Sequence, residues 1–219
     1  MDALDIVLET ARPLLGRVDD VLRACGVPGG HPAHALLREL GALPGAAAES
    51  VAALRPGPLV VAQRQLGPLA EAYAAAARVA SRPVPWSGPA AQAYAHRAGA
   101  LSARLLGDGG PSRLADTIQF AESLALWMVT ARTALARALG RVIGAAEAVA
   151  LTDPDRPLHA LAGPAADVAA EVLAAIAAGA DDARRLAASW EHRVAYAPFF
   201  RPLGTAATPT GGDTLRIGR

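Results

Sequence analysis

Lysine is absent from the chain. All 21 basic residues are arginine, which excludes sites built on a lysine amine, a P-loop or a Schiff base among them. Cysteine occurs once, at Cys25, so no intrachain disulfide can form and the fold does not rely on bridges. Aromatic residues make up only 4% of the sequence. A charge excess is also missing: the formal net charge is +1, which offers no electrostatic case for nucleic acid or an anionic membrane. Strand-like alternation is absent as well. No uncharged apolar run reaches the ~18 residues that a membrane span needs; the longest candidate, around 164–180, is interrupted by Asp167 and Glu171. Asp2, Asp5 and Glu9 give the N-terminus the wrong charge pattern for a cleaved signal peptide.

What the sequence has in quantity is alanine, the best helix former. Hydrophobic residues are 53% of 219, enough to bury a substantial core in one large domain or two small ones. Leu4, Leu8, Ala11, Leu15, Val18 and Leu22 recur at spacings of four and three, one apolar helical stripe over 3–24. Pro13 falls inside it and is expected to kink or divide it. A second helix is expected over about 32–54, divided at Pro44-Gly45, and a third over 58–81, bent at Gly67-Pro68. The third carries the stripe Leu59, Ala62, Leu66, Leu69, Tyr73, Ala76 and Ala80. The fourth, over 89–106, has Ala91, Tyr94, Ala98, Leu101 and Leu105 in phase. After Gly107-Asp108-Gly109-Gly110-Pro111, a fifth helix runs from a Ser112 cap to about Val149, and a sixth covers 158–195 with a break expected at Gly163-Pro164.

This pattern predicts an all-α protein, an elongated bundle of about six helices arranged as stacked antiparallel hairpins. Its parts are an N-terminal helical pair (1–56), a helical hairpin (57–107), a long C-terminal hairpin packed in the same bundle (111–196), and a disordered, extended tail (197–219). Phe199 and Phe200 either pin the start of that tail or are bound by a partner.

Candidate chemistry is sparse. Cys25, His31, His34 and Glu39 match no zinc spacing, so no metal is expected. The histidines stand in different segments and no Gly-x-Ser-x-Gly turn is present, so no catalytic triad is expected. His96, His159 and His192 are read as lying on solvated helix faces. Glu191-His192 is adjacent and lacks the i, i+3 spacing of bundle carboxylate sites. Asp181-Asp182 before Arg184-Arg185 reads as exposed ion pairs. Trp127 and Trp190 read as packing residues. No catalytic residue, cofactor or metal is therefore assigned, and the chain is expected not to be an enzyme.

One joint has unusual chemistry, Pro85-Trp86-Ser87-Gly88-Pro89. Pro85 should end the helix before it, Ser87 or Gly88 can cap the next, and Pro89 fits its first turn. Trp86 at this corner either plugs the groove between the two helices or is recognised by a partner.

Trp86-Ser87-Gly88 followed by Pro89-Ala90-Ala91-Gln92-Ala93-Tyr94 resembles the WXG superfamily of type VII (ESX-type) secretion proteins, in which two helices meet at a Trp-x-Gly turn. The likeness covers 58–106, about a quarter of the chain, and the alanine- and arginine-rich composition is similar to that of actinobacterial members. The resemblance implies a non-enzymatic protein that pairs with a helical partner, or with itself, through Trp86, Ser87 and Gly88. It also implies contact with secretion machinery. Such a protein is cytoplasmic before a signal-peptide-independent export, and secreted or cell-surface after it. Nucleic acid and a membrane span are not expected. Two departures stand out. Family members usually have one hairpin and about half this length. Their Tyr-x-x-x-Asp/Glu signal is missing, because Tyr73, Tyr94 and Tyr196 are followed four residues on by Ala77, Ala98 and Phe200. The alternatives are a cytoplasmic chaperone, adaptor or immunity-type binding protein, and a helical-bundle enzyme or ligand binder with an unrecognised site.

Overall fold

Asp2 begins the first helix as a capping box. Its carboxylate accepts from the Asp5 N–H at 3.1 Å, and the Asp5 carboxylate accepts from the Asp2 N–H at 3.1 Å. In the computed structural model this helix, α1, spans Ala3–Cys25. The structure describes residues 2–83, 85–106, 111–153 and 155–195. The helices that follow are α2 (Ala33–Leu40), α3 (Pro44–Ala52), α4 (Gly57–Ala80), α5 (Pro89–Leu106), α6 (Pro111–Ile143), α7 (Ala146–Thr152) and α8 (Leu158–Ala195). Among the described residues there is no strand, and the protein is an all-α helical bundle.

Among the described residues the six expected segments become eight helices. Pro44 divides the second segment by starting α3 at its first turn. Gly144 ends α6, so the expected helix to Val149 stops at Ile143 and resumes as α7. Pro13, Pro68 and Pro164 all lie inside continuous helices, so α1 is not divided at Pro13 and the break expected at Gly163-Pro164 is absent. Packing along α1 and α8 outweighs the one backbone hydrogen bond that each proline removes.

The complete α1 stripe from Leu4 to Leu22 is buried. It meets Leu135, Leu139 and Val142 of α6, Leu151 of α7, and Leu161, Val168, Val172 and Leu173 of α8 in one core, with Ala33 and Ala48 closing it from α2 and α3. α6 and α8 are antiparallel: Phe120 meets Trp190, Trp127 meets Gly179 and Arg141 meets Glu171, one number falling as the other rises. α4 leaves the core and packs along α6, and α5 packs on α4.

By length and composition α8 could cross a membrane, since its window from Leu158 to Glu191 has a mean hydropathy of 1.5. Half of that window is buried within the bundle. The expected tail (197–219) with Phe199 and Phe200, the 107–110 break, and the side chains of Leu105, Ser112 and His192 lie outside the described residues.

Candidate functional site

The α4–α5 hairpin is held by small residues. Ala77 is fully buried, Ser102 is buried across from it, and Ala91 is buried in the first turn of α5. The Ser81 hydroxyl donates to the Ala77 carbonyl at 2.9 Å and lies 2.7 Å from the Ser102 hydroxyl. Such a contact lets the backbones come close with every polar atom paired. The expected seam through Tyr73, Ala76, Tyr94 and Leu101 is therefore corrected, for these residues are exposed. In an alanine-rich helix every phase offers a small apolar face, and close approach selects Ala77 and Ser102 over the larger side chains.

The pairing is also offset. Ser81, just past α4, meets Ser102 near the end of α5, so the first turns of α5 run beside the connecting segment. Gly88 makes that possible. It is the N-cap of α5, its carbonyl accepting from the Gln92 N–H at 3.1 Å, and its φ is +104°. Glycine alone adopts that backbone without strain. Pro89 follows as the first helical residue. Trp86 is 47% exposed, and its ring lies 5.9 Å from that of Tyr94 at a tilt of 51°. It rests on the outside of α5 rather than plugging a core. Ser87 is exposed beside it.

The larger side chains displaced from the seam form a continuous apolar face. Val79 is 60% and Leu101 52% exposed. Together with Ala76, Ala80, Tyr94, Ala98 and Arg97 they line a groove of about 560 Å³. A second groove, of about 460 Å³, lies against Ser81, Arg82, Pro83, Ala95 and Gly99, with Tyr94 on the wall of both. The hairpin thus presents Tyr94 on two shallow grooves with the Trp86 ring against it, a shape that takes side chains of another chain.

The remaining polar candidates do structural work. His31 Nδ1 accepts from the Ala33 N–H at 3.2 Å, so Nε2 carries the proton and donates to Asp167 at 3.1 Å. That ties the start of α2 to α8. Cys25 and His34 are exposed and Glu39 pairs with Arg184 at 3.4 Å. Among the described residues no three His, Cys, Asp or Glu side chains cluster as metal ligands. Asp181 pairs with Arg184 and Asp182 with Arg185. The Trp127 indole donates to the Gly179 carbonyl at 2.8 Å, and Trp190 meets Phe120 edge-on at 5.3 Å.

Sequence reasoning missed two buried charges. Arg132 is 4% exposed and uses all five of its N–H donors. Nε and Nη2 fork onto Asp2, each at 2.7 Å, Nη2 also reaches Asp5, and Nη1 donates to the carbonyls of Ala52 and Leu54. Bonding to Arg132 lowers the pKa of Asp2 to about 2. Asp5 is lowered by the Asp2 N–H and then by Arg132. Asp19, buried on α1, accepts from the Gly45 N–H at 3.2 Å. It caps α3 from outside, because Leu43 at the cap position supplies no side-chain bond. Burial raises its pKa. The available signal for Arg132 was an arginine set close to Ala131, Ala134 and Leu135.

Set beside protein-family models, curated proteins and solved structures, the chain matches none of them.

Proposed function

We propose that this is a non-enzymatic helical interaction protein that pairs with a helical partner through the Trp86-Ser87-Gly88 hairpin, in association with type VII secretion. The observation that carries the reading is the position of Trp86. It is a large ring held half out of the surface against Tyr94, which lines the exposed apolar groove of α4 and α5. Exposed aromatic side chains next to apolar grooves are the usual anchors of interfaces. The secretion association comes from the Trp-x-Gly resemblance alone. The missing Tyr-x-x-x-Asp/Glu signal favours a second reading, a cytoplasmic adaptor, chaperone or immunity-type protein that uses the same hairpin.

The test is affinity capture of tagged wild-type protein and a Trp86→Ala variant from the native host, with folding checked by circular dichroism. A helical protein retained by the wild type and lost from the variant is expected. An identical captured set from both would overturn the hairpin reading. Protein confined to cell lysate while the secretion system is active would reject export and leave the adaptor reading.

A further inference from the structure

We propose that the groove between Val79 and Leu101 seats an acidic amphipathic helix of another protein. This rests on the hairpin being the partner-binding element, and it names the chemistry of the partner.

The charge distribution carries the argument. Residues 57–106 hold Arg64, Arg78, Arg82, Arg97 and Arg104 against Glu71 alone. That is a net +4 in a chain of net +1, so the rest of the protein is net −3. Among the described residues, Arg64, Arg78, Arg82 and Arg97 form no ion pair. Elsewhere among the described residues, the arginines at 12, 23, 132, 141, 156, 184 and 185 are paired, whereas Arg17, Arg38, Arg55 and Arg137 form no ion pair. The hairpin thus joins a local excess of positive charge, four arginines without an ion pair, to the exposed apolar side chains Val79, Tyr94 and Leu101, and Arg97 lines their groove. A partner that complements both must carry an apolar stripe flanked by carboxylates.

Shape separates this partner from other acidic surfaces. The groove is lined by the small Ala76, Ala80 and Ala98, by the larger Val79, Tyr94 and Leu101, and by Arg97. A concave apolar trough receives a helix ridge. A membrane surface instead favours apolar side chains that project from a convex face, and nucleic acid favours closely set cations over an apolar floor. Pairing of this face with a second copy of itself would set +4 against +4.

The experiment uses a displayed library of helical peptides with a fixed Leu/Ala stripe and randomised flanking positions, selected on the full-length protein. Asp and Glu should be enriched over Arg and Lys at the flanks by about threefold or more. Arg97→Glu should reverse that preference, and Leu101→Asp should abolish capture. Peptides captured without charge preference, yet lost with Leu101→Asp, would overturn the acidic partner and spare the hairpin reading. Capture indifferent to Leu101→Asp would remove this groove altogether. Tighter binding to phosphatidylglycerol vesicles or to RNA than to the selected peptides would also overturn it.

Discussion

Trp86 lies against Tyr94 with ring centroids 5.9 Å apart, and that contact is made on the exposed side of α5. A tilted pair of this kind contributes ~0.5–1.5 kcal/mol beyond area burial. Truncating a core tryptophan costs ~3–5 kcal/mol. Trp86→Ala should therefore lower stability by only about 1 kcal/mol in urea unfolding, with the helical circular dichroism signal retained. A loss on the scale of a core truncation would mean that Trp86 is buried against something other than Tyr94.

Gly88 is the stricter half of the Trp-x-Gly joint. Its φ of +104° turns the chain into α5 while leaving open space where a Cβ would go. The penalty for a substitution is therefore conformational and not steric. Gly88→Ala should cost about 1–2 kcal/mol, read as a shift in the urea midpoint at unchanged slope. An unchanged midpoint would show that the joint does not need the left-handed backbone.

Two carboxylates of α1's start and interior, the exposed Asp2 and the buried Asp19, set opposed pH responses. The folded pKa of Asp2, about 2, lies below the ~3.9 of an unfolded aspartate. The stability from Asp2 is thus complete above ~4 and is lost as pH falls through this window toward 2. Asp19 has the opposite sign. Its pKa is raised by burial, so ionisation opposes folding once pH rises above the unfolded value. Asp19→Asn keeps an acceptor for the Gly45 N–H and removes the charge. It should match or exceed the wild type at ~pH 7, and the advantage should vanish by ~pH 3. Urea unfolding of both proteins across that range measures it. A variant less stable at neutral pH would show that the Asp19 charge, and not its hydrogen bond, holds α3.

The helices were largely legible because their signals are local. The α1 stripe recurs at helical spacing and is buried in full, and Pro44 and Gly88-Pro89 mark helix starts in the way their backbone chemistry requires. The face of each hairpin helix was not. Ala76 and Ala77 are equivalent as sequence, and only the distant Ser102 decides that Ala77 is covered. Placing Tyr73, Tyr94 and Leu101 in the seam followed from heptad spacing, which several phases of an alanine-rich helix satisfy, whereas close helix approach selects small side chains. The exposed groove is the consequence of that reversal. Arg132 was invisible for a related reason: its acceptors stand at residues 2, 5, 52 and 54, and no local pattern reports contacts at that separation.

Arg132 also makes the strongest stability prediction. Its guanidinium joins the first turn of α1, the last carbonyls around α3 and the middle of α6, with no donor left over. Arg132→Ala leaves two carboxylates without their cation and takes one of two arginine donors from the Ala52 and Leu54 carbonyls, which also accept from Arg55. Asp2 and Asp5 remain partly exposed to solvent, so losing the guanidinium should cost about 1–3 kcal/mol. Arg132→Lys restores the charge but not the fork, since an ammonium presents three donors on one point, so it should recover only part of the loss. The two variants also separate charge from geometry in the acid response. Removing the guanidinium should raise the pKa of Asp2 from about 2 toward its ordinary value, which NMR titration of the Asp2 carboxyl would follow directly. An Arg132→Lys protein as stable as the wild type would show that the cation alone, and not the five-bond arrangement, locks α1 to α6.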